Sequence, residues 1–387
     1  MRVTHVITRL VIGGAQENTV ATVLGLRRKP DVQVNLISGP TTGPEGSLVP
    51  LFRDEPELLS LLPTLVRAVH PVFDYATLLR LTRIFRSTLP QIVHTHSGKA
   101  GILGRLAASR AGVPIIVHTI HGPSFGDFQG PVPNFLFRGA ERWAGKVTTH
   151  FVSVAEAMTR QYLAASIGRP EQYSRIFSGF ALAPFLEAKN DPVLRRRLHI
   201  DEEDVVVGKI ARLFKLKGHD DLLAVAPALL HRCPRLKFLL IGDGAWRQRL
   251  QARSESLGLK KHFIFTGLLP PEEIPRHLGI MDILVHLSRR EGLPRALPQA
   301  LAAARPVVAY DCDGANEVCL TGETGFLVRP GDLDTLTDRL VQLGRDSALR
   351  ERLGGRGREF VRHSFSVETM VENLYKLYFE LAATRQR

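Results

Sequence analysis

Arg212 closes the apolar run "VVVGKIA", Lys217 follows within the same turn, and Gly218 opens an amphipathic stretch, "HDDLLAVAPALL". Two cations where a strand gives way to a helix can neutralise a diphosphate, the arginine as a planar fork and the lysine as a point charge. The plainer alternative is a pair of solvated loop charges. A second junction follows the apolar run "DILVHL", where Glu291, Gly292 and Leu293 precede Pro294 and the stretch "RALPQAL". Proline suits the first turn of a helix, and the free amides and dipole of that turn attract phosphate oxygens. A carboxylate just before such a turn lies beside the anion site without occupying it, where it can accept a hydroxyl of the same ligand. A sugar nucleotide carries both groups.

Other positions are less specific. Gly13 and Gly14 in "RLVIGGAQENTV" sit between a strand and a helix, and would either let the backbone approach a phosphate or simply make a tight turn. Gly242 and Gly244 in "FLLIGDGAW" occupy a similar place. In "IVHTHSGKAGILGRLAA", His94 and His96 share one face of a strand and Lys99 enters the first turn of a helix, an anion-friendly loop. No carboxylate or cysteine with ligand spacing accompanies the two histidines, so His94 reads as a satisfied core residue rather than a metal ligand. In "PIIVHTIHGPSF", His118 lies inside the apolar run and reads as structural, whereas His121 lies past its end, where ligands bind.

The elements that must position these groups alternate throughout. Strand-like runs are "RVTHVITRL", "VQVNLIS", "QIVHTH", "PIIVHTI" and "VTTHFVSV" in the first half, then "DVVVGKIARL", "LKFLLIG", "HFIFTG", "DILVHLS" and "RPVVAYD" in the second. Amphipathic stretches between them imply an α/β fold with parallel sheets and crossover helices, two doubly wound domains of Rossmann-like type. The aperiodic segment "FSGFALAPFLEAKNDP" is the expected linker, with the boundary at Leu182: one domain over 1–182 and another over 183–365. After the last β-like run, "GFLVRPGD", only helices follow, and in the last, 366–387, Met370, Leu374 and Leu377 form an apolar stripe that must be buried. Ligands of such sheets bind beyond the carboxyl ends of the strands, so two facing domains would form a cleft there.

With 387 residues, 44% of them hydrophobic, the chain is an ordinary globular protein. No run approaches the roughly 18 apolar residues of a membrane-spanning helix, and the N-terminus lacks a signal-peptide pattern. Cys233, Cys312 and Cys319 are few and not in zinc-ligand spacing, which suits reduced thiols in a cytoplasm. The net charge of +13 implies an anionic partner. Basic residues are dispersed, with no finger motif or aromatic-rich basic block, which argues against nucleic acid. In "YATLLRLTRIFRSTLP", Arg80, Arg83 and Arg86 alternate with Leu79, Ile84 and Phe85; this is either a core-packed helix with a solvated basic face or a peripheral contact with anionic membrane.

In order along nearly the whole chain, the Gly13-Gly14 loop, "HTHSGKAGILGRLA", "HTIHG", "ARLFKLKGH", "IGDG", "EGLPRALPQAL" and "GETGFLV" resemble the retaining glycosyltransferases of the GT-B fold, family 4, also called group 1. The resemblance implies donor diphosphate binding by Arg212 and Lys217, and makes Glu291 the first glutamate of the Glu-x7-Glu motif, near the donor sugar. It puts His121 beside the reacting sugar and closes the Gly14 loop over the phosphates. The terminal helix from about Ser366 would return to the first, acceptor-side domain, and the second domain would hold the nucleotide sugar. Transfer would need no metal and no cofactor, the fixed cations replacing a divalent ion, and the leaving phosphate would take the acceptor proton. The acceptor would be a glycan, a lipid-linked sugar or a small molecule in cell-surface polysaccharide, lipopolysaccharide or glycolipid assembly, at the inner face of the membrane. One position departs: the second motif glutamate, which accepts from the ribose, is here Gln299, a neutral acceptor. Two alternatives stay open, a sugar-nucleotide epimerase of the same fold and a non-catalytic nucleotide-sugar-binding protein.

Overall fold

A computed structural model of the chain describes residues 1–41, 46–126 and 128–386. It comprises two compact units, Met1–Phe180 with Val367–Arg387, and Ala181–Ser366.

The first unit is built on seven parallel strands: β1 (Arg2–Ile7), β2 (Gln33–Ser38), β3 (Leu59–Leu61), β4 (Ile92–His96), β5 (Ile115–Ile120), β6 (His150–Ser153) and β7 (Tyr173–Arg175). Their order is β3-β2-β1-β4-β5-β6-β7. The direction of winding reverses between β1 and β4, so the loops leaving those strands diverge to opposite faces and open a crevice. Helices cover both faces, which is why β4 and β5 are buried at every residue. The period of two along the strands splits the core: Val3, Ile7, Ile92, Ile115 and Val117 face one side, and Val6, Ile37, Val93 and Ile116 the other.

The first of those sides is closed by the C-terminal helix, Val367–Gln386, whose Met370, Val371, Leu374, Leu377 and Tyr378 join the same cluster. It packs on the helix Gly14–Arg27 so tightly that a Cβ on Gly25 would come within 2.4 Å of a Val371 methyl. Lys29 pairs with Glu372 at 2.7 Å on the rim.

The second unit has six parallel strands: β8 (Val205–Ile210), β9 (Leu236–Ile241), β10 (Phe263–Gly267), β11 (Ile283–His286), β12 (Val307–Tyr310) and β13 (Gly325–Val328), in the order β10-β9-β8-β11-β12-β13. Here the winding reverses between β8 and β11, the strands that precede Arg212 and Glu291.

Two expectations need correcting. β3 and β7 escape a sequence reading because three residues carry no period; both are sheet edges, where brevity limits unwanted pairing. The helix after Glu291 is Ala296–Ala302, so Pro294 precedes it and does not form its first turn, although Pro294 O accepts from Leu297 N at 3.2 Å. Among the described residues no helix is long and apolar enough to cross a membrane.

Candidate active site

The reversal point of the second sheet brings both charged junctions together. Lys217, in the loop after β8, forms an ion pair with Oε1 of Glu291, in the loop after β11. Nε2 of His286, the last residue of β11, lies 3.4 Å from the same oxygen. The two loops are joined by backbone, Arg289 N donating to Leu216 O at 2.8 Å. Gly218, with φ 66, is needed on two counts, since a Cβ there would lie 2.1 Å from Leu287 O. On the other side, the Glu291 amide donates to Asp313 Oδ2 at 2.7 Å and Gly314 N to Gly292 O at 3.1 Å. The carboxylate is therefore fixed from three directions.

Burial would raise the Glu291 carboxyl, but His286 and Lys217 outweigh it and hold the group well below the usual carboxylate range. Burial also lowers the basicity of His286 more than Glu291 restores it. The ring is therefore neutral at neutral pH, and the lysine supplies the positive charge. Lys209, 1% exposed near the end of β8, lies within electrostatic reach of the pair. Burial first, and then the charge of Lys217, bring its amine down to about 7, against the opposing pull of Asp221 and Glu291.

Arg212 is exposed, with its guanidinium 4.8 Å from the Phe214 ring centroid. It pairs with no carboxylate among the described residues. His219 Nε2 bonds its carbonyl at 3.0 Å and so anchors the loop. Gly242 and Gly244 support this loop directly: Cβ atoms there would fall 2.2 Å from Ala211 O and 2.5 Å from Leu213 O. Leu213 N donates to Asp243 O at 2.9 Å, so the Gly-Asp-Gly turn lies flat against the segment that carries Arg212. Leu293 turns its side chain inward. Gln299 is half-buried, and its side-chain amide makes no hydrogen bond to a described residue.

In the first unit the glycine pair is less constrained than its sequence suggests. Gly13 has φ 171, extended backbone open to any residue, and an added Cβ would meet only the end of Gln16, at 2.9 Å. Gly14 is the first residue of the helix Gly14–Arg27. Lys99 is a correction: it is paired with Asp74 and donates to Ala68 O, so it braces its loop and is not a free cation for a ligand. His94 has both nitrogens occupied, by Tyr378 Oη at 2.5 Å and Thr119 Oγ1 at 2.6 Å. His118 is buried and bonded to Thr95 Oγ1 at 2.9 Å. His121 lies just past β5, half-buried, with Nε2 3.1 Å from His96 Nδ1. Burial lowers its pKa to about 3, so the ring is neutral.

Several residues here were missed in the sequence. A lysine inside "VVVGKI" and a histidine ending "ILVH" were visible as charges in apolar runs, and that was the available signal for Lys209 and His286. His5 and Tyr378 gave none beyond polarity in a buried pattern. His5, His94 and His96 hold ligand atoms within 4.8 Å of one another, the arrangement a metal could use. Their facing nitrogens, however, bond each other, His5 Nδ1 to His96 Nε2 at 2.9 Å, and no carboxylate stands in the group to balance an ion.

Exposed apolar side chains occur on two helices of the first unit. The helix Pro71–Thr88 buries Leu81 and Phe85 in the core, Arg86 caps Arg110 O at 3.1 Å, and Val72, Phe73, Tyr75 and Leu79 are exposed. The helix Pro131–Gly145 instead turns Glu141 inward to a buried pair with Arg105 at 2.5 Å and leaves Val132, Phe135 (77% exposed), Leu136 and Trp143 outside. Beside it runs a groove of 920 Å³ with Arg67, Lys99, Ile102, Leu103 and Leu136 in its walls.

Residues 190–360 match the family described as Glycosyl transferases group 1, and residues 13–176 match the Glycosyl transferase 4-like domain. The chain is 26% identical over its full length to an Escherichia coli UDP-Gal:alpha-D-GlcNAc-diphosphoundecaprenol alpha-1,3-galactosyltransferase, of which it covers 98%. To a GDP-mannose-dependent alpha-(1-6)-phosphatidylinositol monomannoside mannosyltransferase of Mycolicibacterium smegmatis it is 31% identical over 74% of its length and 75% of that protein. The Anabaena protein HepE, solved in complex with UDP, superposes with a TM-score of 0.80 over 98% of this chain and all of that one, at 20% identity. Two parallel α/β sheets that reverse at β1/β4 and β8/β11, carrying these matches in order, make the chain a member of the group 1 glycosyltransferases with the GT-B fold.

Proposed function

We propose that the protein transfers a hexose, with retention of anomeric configuration and without a metal, from a nucleoside diphosphate sugar to a lipid-linked glycan acceptor. The observation that carries this reading is the cationic group of Arg212, Lys217 and buried Lys209 beside the fixed carboxylate of Glu291. Departure of a nucleoside diphosphate builds charge on its terminal phosphate. Donors fixed beforehand stabilise that charge more than they stabilise the bound substrate, which is the condition for a rate gain. In the step proposed, the C1–O bond to phosphate breaks, the acceptor oxygen bonds C1 from the same face, and its proton goes to the leaving phosphate oxygen. Glu291 takes a sugar hydroxyl, the amides of Gly292 and Leu293 take phosphate oxygens, and Gln299 meets the ribose. Gly13 and Gly14 approach the phosphates, and neutral His121 receives a hydroxyl at the reacting sugar. No cofactor enters, and no nucleic acid.

The acceptor follows from the first unit and its relatives. An exposed row of Val132, Phe135, Leu136 and Trp143, with Arg138 and Arg142 on the same helix, suits a membrane bearing anionic lipid at the cytoplasmic face. The full-length Escherichia coli relative is named for a diphosphoundecaprenol acceptor, so a sugar on a polyprenyl diphosphate is the first acceptor to try. UDP-galactose, UDP-glucose and GDP-mannose are the donors to set against it. Release of nucleoside diphosphate that requires the acceptor, with an anomeric coupling in the product equal in kind to that of the donor, is the expected result. Release without acceptor, or loss of donor with no release, would move the protein to the epimerase class.

A further inference from the structure

The parallel register lays His5 of β1 beside His94 of β4, and His96 beside Thr119 of β5. The period of two turns all of these toward the face closed by the C-terminal helix, where Tyr378 is fully buried. The result is one unbroken hydrogen-bonded chain. His121 Nε2 meets His96 Nδ1 at 3.1 Å, His96 Nε2 meets His5 Nδ1 at 2.9 Å, and His5 Nε2 meets Tyr378 Oη at 3.4 Å. From Tyr378 it continues to His94 Nδ1 at 2.5 Å and from His94 Nε2 to Thr119 Oγ1 at 2.6 Å. The rings also stack, His94 on His96 with centroids 4.5 Å apart.

We propose that Tyr378, His5 and His96 are positioning residues that fix which nitrogen of His121 carries its proton, through this chain. A neutral imidazole has one donor and one acceptor nitrogen, so setting the direction of one link sets all the others. Only two arrangements exist. If the Tyr378 hydroxyl donates to His94, its oxygen accepts from His5 Nε2–H. His5 Nδ1 then accepts from His96 Nε2–H, and His96 Nδ1 from His121 Nε2–H. All four histidines are Nε2–H, and His121 is left with a bare Nδ1 lone pair. If the hydroxyl donates to His5, every proton moves to the other nitrogen and His121 presents an Nδ1–H donor.

The distances choose between them. Tyr378 has one proton to give, and its oxygen lies 2.5 Å from His94 Nδ1 against 3.4 Å from His5 Nε2, which assigns that proton to the His94 side and leaves His94 Nε2–H to donate to Thr119 Oγ1. Burial keeps His5, His94 and His96 neutral and the Tyr378 phenol protonated, so no charge defect interrupts the order. Nδ1 of His121 has no hydrogen bond to a described residue. It is thus an acceptor reserved for a hydroxyl, which rests on the reading that His121 stands beside the reacting sugar. The C-terminal helix, remote in sequence, would set the polarity of that contact.

Two-bond 15N–1H correlation spectra of histidine-labelled protein at pH 7.5 distinguish the tautomers directly. The wild type should show His5, His94, His96 and His121 as Nε2–H; Nδ1–H forms or mixtures overturn the assignment. Tyr378→Phe keeps the ring but removes the hydroxyl, and should convert His121, three links away, to a mixed tautomer. His96→Asn keeps an amide oxygen toward His121 but cuts the link to His5, so in that background Tyr378→Phe should leave His121 unchanged. A His121 that ignores Tyr378→Phe in the wild-type background refutes the chain. So does stoichiometric zinc binding that shifts all four rings, since it would make the group a metal site. In turnover, Tyr378→Phe should lower kcat by on the order of tenfold with donor KM unchanged. A tautomer change with no loss of kcat leaves the chain standing and removes His121 from the chemistry.

Discussion

Acid should begin to destabilise the first unit well before ordinary carboxylate titration would. His5, His94, His96 and His118 are all at most 2% exposed and all have pKa values lowered by burial, His5 to about 3. For a base whose folded pKa lies below its unfolded value, stability is whole above the unfolded pKa. It is lost as the pH falls toward the folded one, because the unfolded chain binds protons that the native state refuses. Each such histidine removes about 1.4 kcal/mol per pH unit once the pH is below about 6.5, so four remove about 5 kcal/mol per unit. A domain stable by about 10 kcal/mol would be exhausted at about pH 4.5. Urea unfolding at half-unit steps from pH 7.5 to 5.5 measures this, using Trp246→Phe so that Trp143, in the first unit, is the sole tryptophan. The extrapolated stability should fall steeply below pH 6.5, and His118→Asn should reduce that slope by about a quarter. A stability flat between pH 7.5 and 5.5 would show that these histidines take up protons while folded, and the neutral network would have to be abandoned.

Arg212→Ala and Lys217→Ala should each lower turnover on the order of a hundredfold with the fold intact, and a chelator should leave activity unchanged; near-normal turnover in both variants would mean that the diphosphate binds elsewhere. Gln299→Glu should tighten donor binding by about fivefold, as a charge-assisted bond replaces a neutral one, and Gln299→Ala should weaken it; equal donor affinities in thermal-shift titrations would remove the ribose contact. Phe135→Ser with Leu136→Ser should abolish co-sedimentation with anionic vesicles at low salt without changing thermal stability, since both side chains are exposed; retention on vesicles would place the contact elsewhere. Donor binding at pH 7 should take up roughly half a proton, because a bound diphosphate raises an amine poised at about 7, and calorimetry in buffers of different ionisation enthalpy should find this uptake absent in Lys209→Met.

The strands were legible because buried parallel sheets need continuous β-branched runs, and ten of the thirteen strands among the described residues were expected at the runs quoted for them. Another, Gly325–Val328, was recognised only as a β-like run, and the two three-residue edges had no pattern to detect. Arg212, Lys217 and Glu291 were legible because charge at the end of an apolar run is unusual at any such junction. Partnership was not legible. Lys99 looked available, yet Asp74, distant in sequence, occupies it. His5, His96 and Tyr378 each look like a polar residue tolerated in a core. Only the β1–β4 register and the return of the last helix bring His96 within 2.9 Å and Tyr378 within 3.4 Å of His5. The apolar face of Pro131–Gly145 was obscured in the same way, since an amphipathic pattern does not say which of its faces points inward, and here the buried Arg105–Glu141 pair decides it.

The second site gains meaning when its charges are considered together. Lys217 and Glu291 satisfy each other, with side chains 15% and 22% exposed, so a donor bound as proposed would exchange that pair for its own phosphate and hydroxyl. A buried pair opened with nothing to replace the lost partner is costly, of order 3–5 kcal/mol. A sugar diphosphate replaces both partners at once, phosphate to the lysine and hydroxyl to the carboxylate, whereas a free sugar or a bare phosphate replaces only one. The pair therefore discriminates in favour of ligands that carry both groups at the right spacing. Lys209 would sharpen this preference: its amine, lowered to about 7, feels the charges of Lys217 and Glu291, so a diphosphate bound as proposed would supply the negative charge that completes its protonation, and a neutral sugar could not. On the proposed reading, the cationic character of the site would thus increase when the donor arrives, at the place where the leaving group would need it.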